Sequence, residues 1–382
     1  MNNFTFQNPT KIIFGKGTIA SLSTEIPLNK RVLITFGGGS VKSNGVYRQV
    51  CDALKGHTYF EFWGIEPNPT VETLREAINL GRANNCDFVL AVGGGSVVDG
   101  SKLIAAAINY DGDAWDIVKK RMFASETILP LASVLTLPAT GSEMNAGAVI
   151  NNKSKKEKFA FYSRYPVFSI LDPQVTYTLP DYQIANGLAD TFVHVIEQYL
   201  TTTGQSPLMD RWAEGVLQTI VEVAPKILKN KTDYDSMATF MLSATMALNG
   251  FIAMGVSEDW STHLIGHEIT ALTGLTHGHT LSIILPGTMQ IMRQTKGDKI
   301  IQLGKRVFGI DTQSRESAID ETIAATDNFF RSLGLLTKLS ENGIGKDIAD
   351  EIVNRLKTRN SRFGENGDMD HAVVQKILEI RL

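Results

Sequence analysis

Cysteine is nearly absent: Cys51 and Cys86 are the only two in a chain of 382 residues. Two thiols cannot build a disulfide framework, which excludes the stapled secreted scaffolds and points to a reducing compartment, the cytoplasm. Long apolar runs are missing too. No stretch of about 18 apolar residues occurs, and the opening MNNFTFQNPTKIIFGKG has no basic stretch followed by a long apolar region. Neither a membrane span nor a standard export signal is expected. Positive charge is not in excess: a net charge of -3 offers no basic field for a phosphate backbone, so nucleic acid is not an expected partner. The one basic run, NKSKKEK around Lys153 to Lys158, lies between apolar segments and reads as a solvated turn.

What is present is the composition of an ordinary globular enzyme, 43% hydrophobic and 20% charged, with no low-complexity stretch and no repeat. At this length one core is not enough, and two domains are expected. Up to Asp172-Pro173, short β-branched runs (Val32 to Thr35, Phe88 to Val92, Ser133 to Leu137, Val167 to Leu171) alternate with helical patterns at Gly45 to Leu54 and Thr70 to Asn84. That rhythm predicts a parallel sheet with crossover helices, and a hairpin is expected around Asn151 to Lys156. Beyond Leu179-Pro180 the segments 182–200, 209–228, 234–252, 260–272, 319–333 and 346–356 show helical periodicity without strands. The expected division is an α/β domain over 1–180 and an all-helical domain over 181–382.

Three loops stand where strands should end. Gly93-Gly94-Gly95-Ser96 with Asp99 follows the strand at 88–92 and opens a helix, a layout in which glycine backbone and helix N-terminus receive a phosphate. It is neither G-x-G-x-x-G nor a P-loop, and a tight turn remains the plainer alternative. Thr136 to Glu143, LPATGSE preceded by Thr136, offers hydroxyls for ribose or diphosphate. Gly37, Gly38, Gly39 and Ser40, with Lys42 next, carry no carboxylate that would accept a 2'-hydroxyl and repel a 2'-phosphate, so NADP(H) is expected in preference to NAD(H).

Five of the seven histidines, namely His194, His263, His267, His277 and His279, fall in the helical half. Asp190 and His194 are four apart, hence on one helix face, and His263 and His267 repeat that spacing. A carboxylate with imidazoles suits one divalent ion, Fe2+ or Zn2+, rather than Mg or Ca. A single helical histidine is more often a core or surface residue than a ligand, and spacing alone does not rank these five. His267-Glu268 is not a zincin helix, because position 271 is Ala271.

The loop GGGSVVDGSK, the loop LPATGSE, Asp190-x3-His194 and His263-x3-His267-x9-His277-Gly278 together resemble the iron-containing, or group III, alcohol dehydrogenases over almost the whole chain. The openings PTKIIFGKG and FGGGSVKSNG and the phrase GIEPNP look closest to the butanol dehydrogenase and NADPH-dependent aldehyde reductase branch. The resemblance implies a dehydroquinate synthase-like fold: an N-terminal α/β dinucleotide-binding domain followed by a C-terminal helical metal-binding domain. It implies Asp190, His194, His263 and His277 as metal ligands and His267 beside the substrate, and leaves His279 structural. It implies Gly94, Gly95 and Ser96 at the diphosphate, with Asp99 ordering their loop. Thr136, Thr140 and Asn145 would lie along the nicotinamide half and Lys158 at the ribose; Gly37, Gly38 and Ser40, from the strand-end loop above, and Asn68 are further expected cofactor-site residues. Aldehyde reduction would then proceed by hydride transfer to a polarised carbonyl, with His267 supplying a proton.

A homodimer and a small aldehyde or alcohol substrate are further expectations. Phe251, Ile252, Met254, Trp260 and Leu264 are read either as a hydrophobic substrate pocket or as core. Dehydroquinate synthase itself, which must hold a charged sugar phosphate, would need Lys and Arg around the metal helices, and these segments have almost none.

Overall fold

Runs rich in Val, Ile, Leu and Phe suit a pleated surface and become strands. In chain order these are β1 (Lys11–Phe14), β2 (Arg31–Phe36), β3 (Thr58–Phe62), β4 (Phe88–Gly94), β5 (Leu131–Leu137), β6 (Gly147–Asn152), β7 (Glu157–Tyr162) and β8 (Phe168–Leu171). The computed structural model describes all 382 residues, and in it six strands form one sheet in the order β1-β8-β5-β4-β2-β3. Every pairing in that sheet is parallel. Strands β6 and β7 form the antiparallel hairpin expected from the sequence, paired from Asn152↔Glu157 outward.

Both faces of the parallel sheet are covered, as such sheets require. Leu33, Val89 and Ala91 pack with Leu74, Ile78, Leu103 and Ile104 from the helices Val71–Ala83 and Gly95–Ala107. Their neighbours Val32, Ile34, Leu90 and Val92 point the other way, onto Val46 and Val50 of the helix Val46–Ala53. The register Phe36↔Val92 and Gly94↔Leu137 aligns the C-terminal ends of β2, β4 and β5, so the three glycine and hydroxyl loops leave the sheet at one edge.

The helical part is organised around Asp181–Tyr199, buried continuously from Ile184 to Tyr199. Around it lie the helices Pro207–Lys229, Ser261–Thr273, His277–Ile291, Arg293–Val307, Arg315–Ser332, Lys346–Thr358 and His371–Arg381. No helix is long and apolar enough to cross a membrane.

The chain forms two compact units, neither of them contiguous in sequence. The sheet unit is Gln7–Leu179 with Lys231–Thr245, and the helical unit is Met1–Phe6, Pro180–Asn230 and Met246–Leu382. The departures from a single cut near residue 180 have packing reasons. Phe6 meets the Phe251 ring edge-on at 6.1 Å, and the Asn2 N–H donates to the Gly255 carbonyl at 2.8 Å. Within the helix Tyr234–Ala247, Met241 packs on Leu135 and Leu171 at the sheet. Met241→Ala is therefore expected to lower stability by about 2–4 kcal/mol, measured by urea denaturation, whereas a change under about 1 kcal/mol would make this helix peripheral to the sheet unit.

Candidate metal centre and dinucleotide loops

Four donors meet in the helical unit. Asp190 Oδ1 lies 3.7 Å from His194 Nε2, 3.9 Å from His263 Nε2 and 3.9 Å from His277 Nε2. Asp190, His263 and His277 each offer a ligand atom within 4.8 Å of the other two, and His194 joins them through Asp190 and through its ring, stacked at 4.7 Å on His263. Ligands about 2.1 Å from one tetrahedral ion stand roughly 3.4 Å apart, so small side-chain adjustments suffice to enclose one.

Local sequence explains the convergence. Asp190 and His194 share one face of the central helix, His263 lies on Ser261–Thr273, and His277 opens the next helix after the left-handed Gly274 turn. A Cβ at Gly278 would collide with the Asn186 carbonyl oxygen, and one at Gly266 would come within 2.8 Å of Thr280 Oγ1. Glycine at these positions lets the three helices that carry these donors approach.

The donor set fits a divalent cation in orientation as well as distance. His263 Nδ1 faces Glu197 Oε1 at 3.3 Å, and the same oxygen accepts the His263 backbone N–H at 3.0 Å. A carboxylate on one ring nitrogen fixes the tautomer and turns the other toward the ion. Burial, then the Asp259 charge, pushes the Glu197 carboxyl up to about 8. Burial also disfavours the charged form of Asp259, but Lys296, 2.5 Å away, wins and holds it below the ordinary carboxylate range. Lys296 also reaches Glu365 at 3.4 Å. Lys296 thus compensates the buried Asp259 and Glu365 behind Glu197.

Glu197 escapes a reading by sequence, although it sits seven residues after Asp190 on the same helix face. Trp260, expected to be helical, is instead the cap before the helix, at φ 63°. Its indole Nε1 donates to Glu258 at 2.6 Å and its ring lies edge-on to His263 at 5.1 Å. Among the other apolar candidates, Phe251 stacks on Trp212 at 4.3 Å, Ile252 is core and Leu264 is exposed. The half-buried His267 has its ring 4.9 Å from that of His277. His279 is buried between Tyr182 Oη at 3.1 Å and the Leu336 carbonyl at 2.8 Å, as a structural histidine should be.

In the sheet unit, Gly94 caps the helix Gly95–Ala107 without any side-chain hydrogen bond to the first-turn N–H groups, which leaves a helix N-terminus suited to an anion. Gly95 has a second reason to be glycine: an added Cβ would strike Thr140. Asn68, with φ 55°, donates its N–H to Ser96 Oγ at 3.3 Å and accepts from Lys158 Nζ at 3.0 Å. Asp99 accepts from Ser142 Oγ at 2.5 Å and from the Val149 N–H at 2.9 Å. Asn145 donates to the Gly141 carbonyl at 2.9 Å, and Thr136 lies nearly buried in β5. Gly37 approaches the Ile65 carbonyl, whereas Gly38 faces open space and Ser40 is exposed.

A parallel α/β sheet with glycine loops at one edge, and a helical unit gathering one aspartate and three histidines, are the features of an enzyme that uses a nucleotide and a divalent metal. The family described as iron-containing alcohol dehydrogenase matches residues 9–173, and its C-terminal region matches residues 184–382. The NADPH-dependent aldehyde reductase YqhD of Escherichia coli (strain K12) is 50% identical over 384 residues, covering 99% of each chain. The probable NADH-dependent butanol dehydrogenase 1 of Bacillus subtilis (strain 168) is 40% identical over 389 residues and covers both chains fully. The crystal structure of E. coli K-12 YqhD superposes with a TM-score of 0.96 at 49% identity, over 100% of this chain and 99% of that one. That of NADH-dependent butanol dehydrogenase A from Thermotoga maritima gives 0.94 at 36% identity, over 100% and 99%. The chain belongs to the iron-containing alcohol dehydrogenase family. It is an oxidoreductase that interconverts alcohols and aldehydes with a nicotinamide cofactor.

If Glu197 orients His263, Glu197→Gln should weaken metal affinity roughly 10- to 100-fold, read by competition with a chromogenic chelator. Unchanged affinity would show that the ligands need no such support.

Proposed function

We propose that the enzyme reduces small apolar aldehydes to primary alcohols with NADPH, at a single Fe2+ or Zn2+ held by Asp190, His194, His263 and His277. The observation that carries the proposal is the approach of three imidazole Nε2 atoms to one Asp190 oxygen at 3.7–3.9 Å. A metal so held supplies Lewis acidity that polarises the carbonyl, and the nicotinamide supplies the hydride. On this reading Gly94, Gly95 and Ser96 receive the diphosphate, and Asp99 orders the loop around them. Thr136, Thr140 and Asn145 line the nicotinamide half, while Lys158 and Asn68 hold the ribose.

Several features support NADPH. Gly37, Gly38 and Ser40 present no carboxylate. Glu61, on the strand paired with β2, has both oxygens occupied, by Tyr47 Oη and by Trp63 Nε1, each at 2.9 Å. The exposed Lys42 ammonium lies 4.0 Å over the Trp63 ring, close to Ser40 in sequence and free of any such carboxylate. YqhD carries NADPH in its name, and the butanol dehydrogenases carry NADH. In kcat/KM with butanal, NADPH is expected to exceed NADH by at least tenfold, about 1.4 kcal/mol. A preference for NADH would overturn the assignment of Gly37 to Ser40.

His267 is the proposed proton donor to the nascent alcohol oxygen, because it stands one helical turn from His263 yet is only half-buried. His267→Ala should lower kcat about 100-fold with metal content unchanged, measured by metal analysis alongside NADPH oxidation. Loss of metal in that variant would make His267 a ligand instead. The free cysteines Cys51 and Cys86 support a cytoplasmic location, and assembly as a homodimer rests on family resemblance.

A further inference from the structure

The sheet unit buries one lysine almost completely, and none of the roles assigned above uses it. Lys102 is 1% exposed. Its Nζ donates to Ser142 Oγ at 2.8 Å, Asn145 Oδ1 at 3.0 Å and the Gly147 carbonyl at 2.6 Å. An ammonium has three N–H donors, and here each has one acceptor. All three acceptors come from the stretch between Ser142, in the second loop, and Gly147, at the start of β6, whereas Lys102 stands on the helix that the glycine loop opens. Asp99, one turn earlier on that helix, accepts from Ser142 Oγ of that loop and from the Val149 N–H of β6. Asn145 carries the tie further, accepting from the Gly147 N–H at 3.0 Å while donating to the Gly141 carbonyl.

We propose that Lys102 is a positioning residue for the nicotinamide dinucleotide: its ammonium locks the Thr140–Gly147 loop to the helix carrying Gly95 and Ser96, so that both loops are preformed for one ligand. The inference rests on the nucleotide reading of those loops. It differs from a packing role in what charge loss would do. A neutral amine has two N–H groups for three acceptors and no longer balances Asp99, and the loop is then released.

The charged groups facing Lys102 are Asp99 on its own helix and Glu143 in the following loop, with Lys158 acting on Asp99; β6 contributes only the Gly147 carbonyl. Burial, partly opposed by Asp99 and Glu143, pulls the Lys102 ammonium down to about 8. Glu143 is itself pushed up by burial and is fixed by Thr245 Oγ1 at 2.5 Å. Because the folded-state pKa is depressed, the charge is present below about pH 8 and lost above it, inside the range where dinucleotide binding is measurable.

The test is the dissociation constant of NADPH for the full-length protein, from nicotinamide fluorescence, between about pH 7 and about pH 9.5. For the native chain Kd should be flat at neutral pH and rise roughly tenfold per unit beyond the break. In Lys102→Met it should be at least about tenfold weaker at neutral pH and nearly independent of pH, with KM for NADPH raised and kcat changed less than about threefold. Equal affinity in Lys102→Met, or a flat native profile, overturns the proposal. If Lys102→Met does not fold, the native profile and the double variant Asp99→Asn/Lys102→Met, which removes the pair together, decide: a break that persists in the double variant overturns it. A native chain that binds neither NADPH nor NADH at neutral pH would instead sink the nucleotide reading, and this inference with it.

Discussion

A single carboxylate oxygen sets the terms for the helical unit. Asp190 Oδ1 is buried with three imidazole nitrogens 3.7–3.9 Å away, an arrangement with no structural advantage over apolar packing, since isolated buried charge is costly. Much around it serves to hold that arrangement. The central helix is buried over sixteen residues, with Asp190 and His194 on one face, and glycines at 266 and 278 bring the partner helices close. Glu197 turns the His263 ring, and Lys296 meets the carboxylates behind it. The donor cluster is preorganised by packing and by hydrogen bonds to its side chains, as a site that holds a metal in one geometry requires.

The sheet unit solves a converse problem. There the buried ion is a cation, Lys102, and its partners are loop oxygens rather than ligands for an incoming metal. Loops at the edge of a parallel sheet are ordinarily its most mobile parts. Here one loop runs directly into a helix, and the other is fastened to that helix by Asp99 and Lys102, three residues apart. Both units place charge in low-dielectric surroundings and compensate it with specific partners, one set open to a cation and the other already closed.

Sequence spacing makes the shared helix face of Asp190 and His194 legible, because i, i+4 spacing is a geometric statement, but which histidines join them comes from family resemblance. His277 is legible only through family resemblance, since its contact with Asp190 depends on the turn at Gly274. Glu197 and Lys102 are not legible: in a helix each reads as a solvated charge, and only partners 66 and about 40 residues away reveal otherwise. The parallel sheet is readable from β2, β4, β5 and β8, whose apolar runs are continuous. Edge strands β1 and β3 escape because they are short and half-exposed. The helix His277–Ile291 escapes because it is apolar on every side and contains Pro286, and Tyr234–Ala247 ends earlier than its periodicity implies.

The chain leaves one unit for the other four times, after Phe6, Leu179, Asn230 and Thr245. During synthesis the sheet can pair as soon as β8 emerges, yet Leu135 and Leu171 remain without Met241 until some seventy further residues have been made. The intervening segment includes the helix that carries Asp190 and His194. The sheet unit therefore cannot complete its core until a stretch of the helical unit has already been synthesised, so the two are not made as independent, consecutive beads.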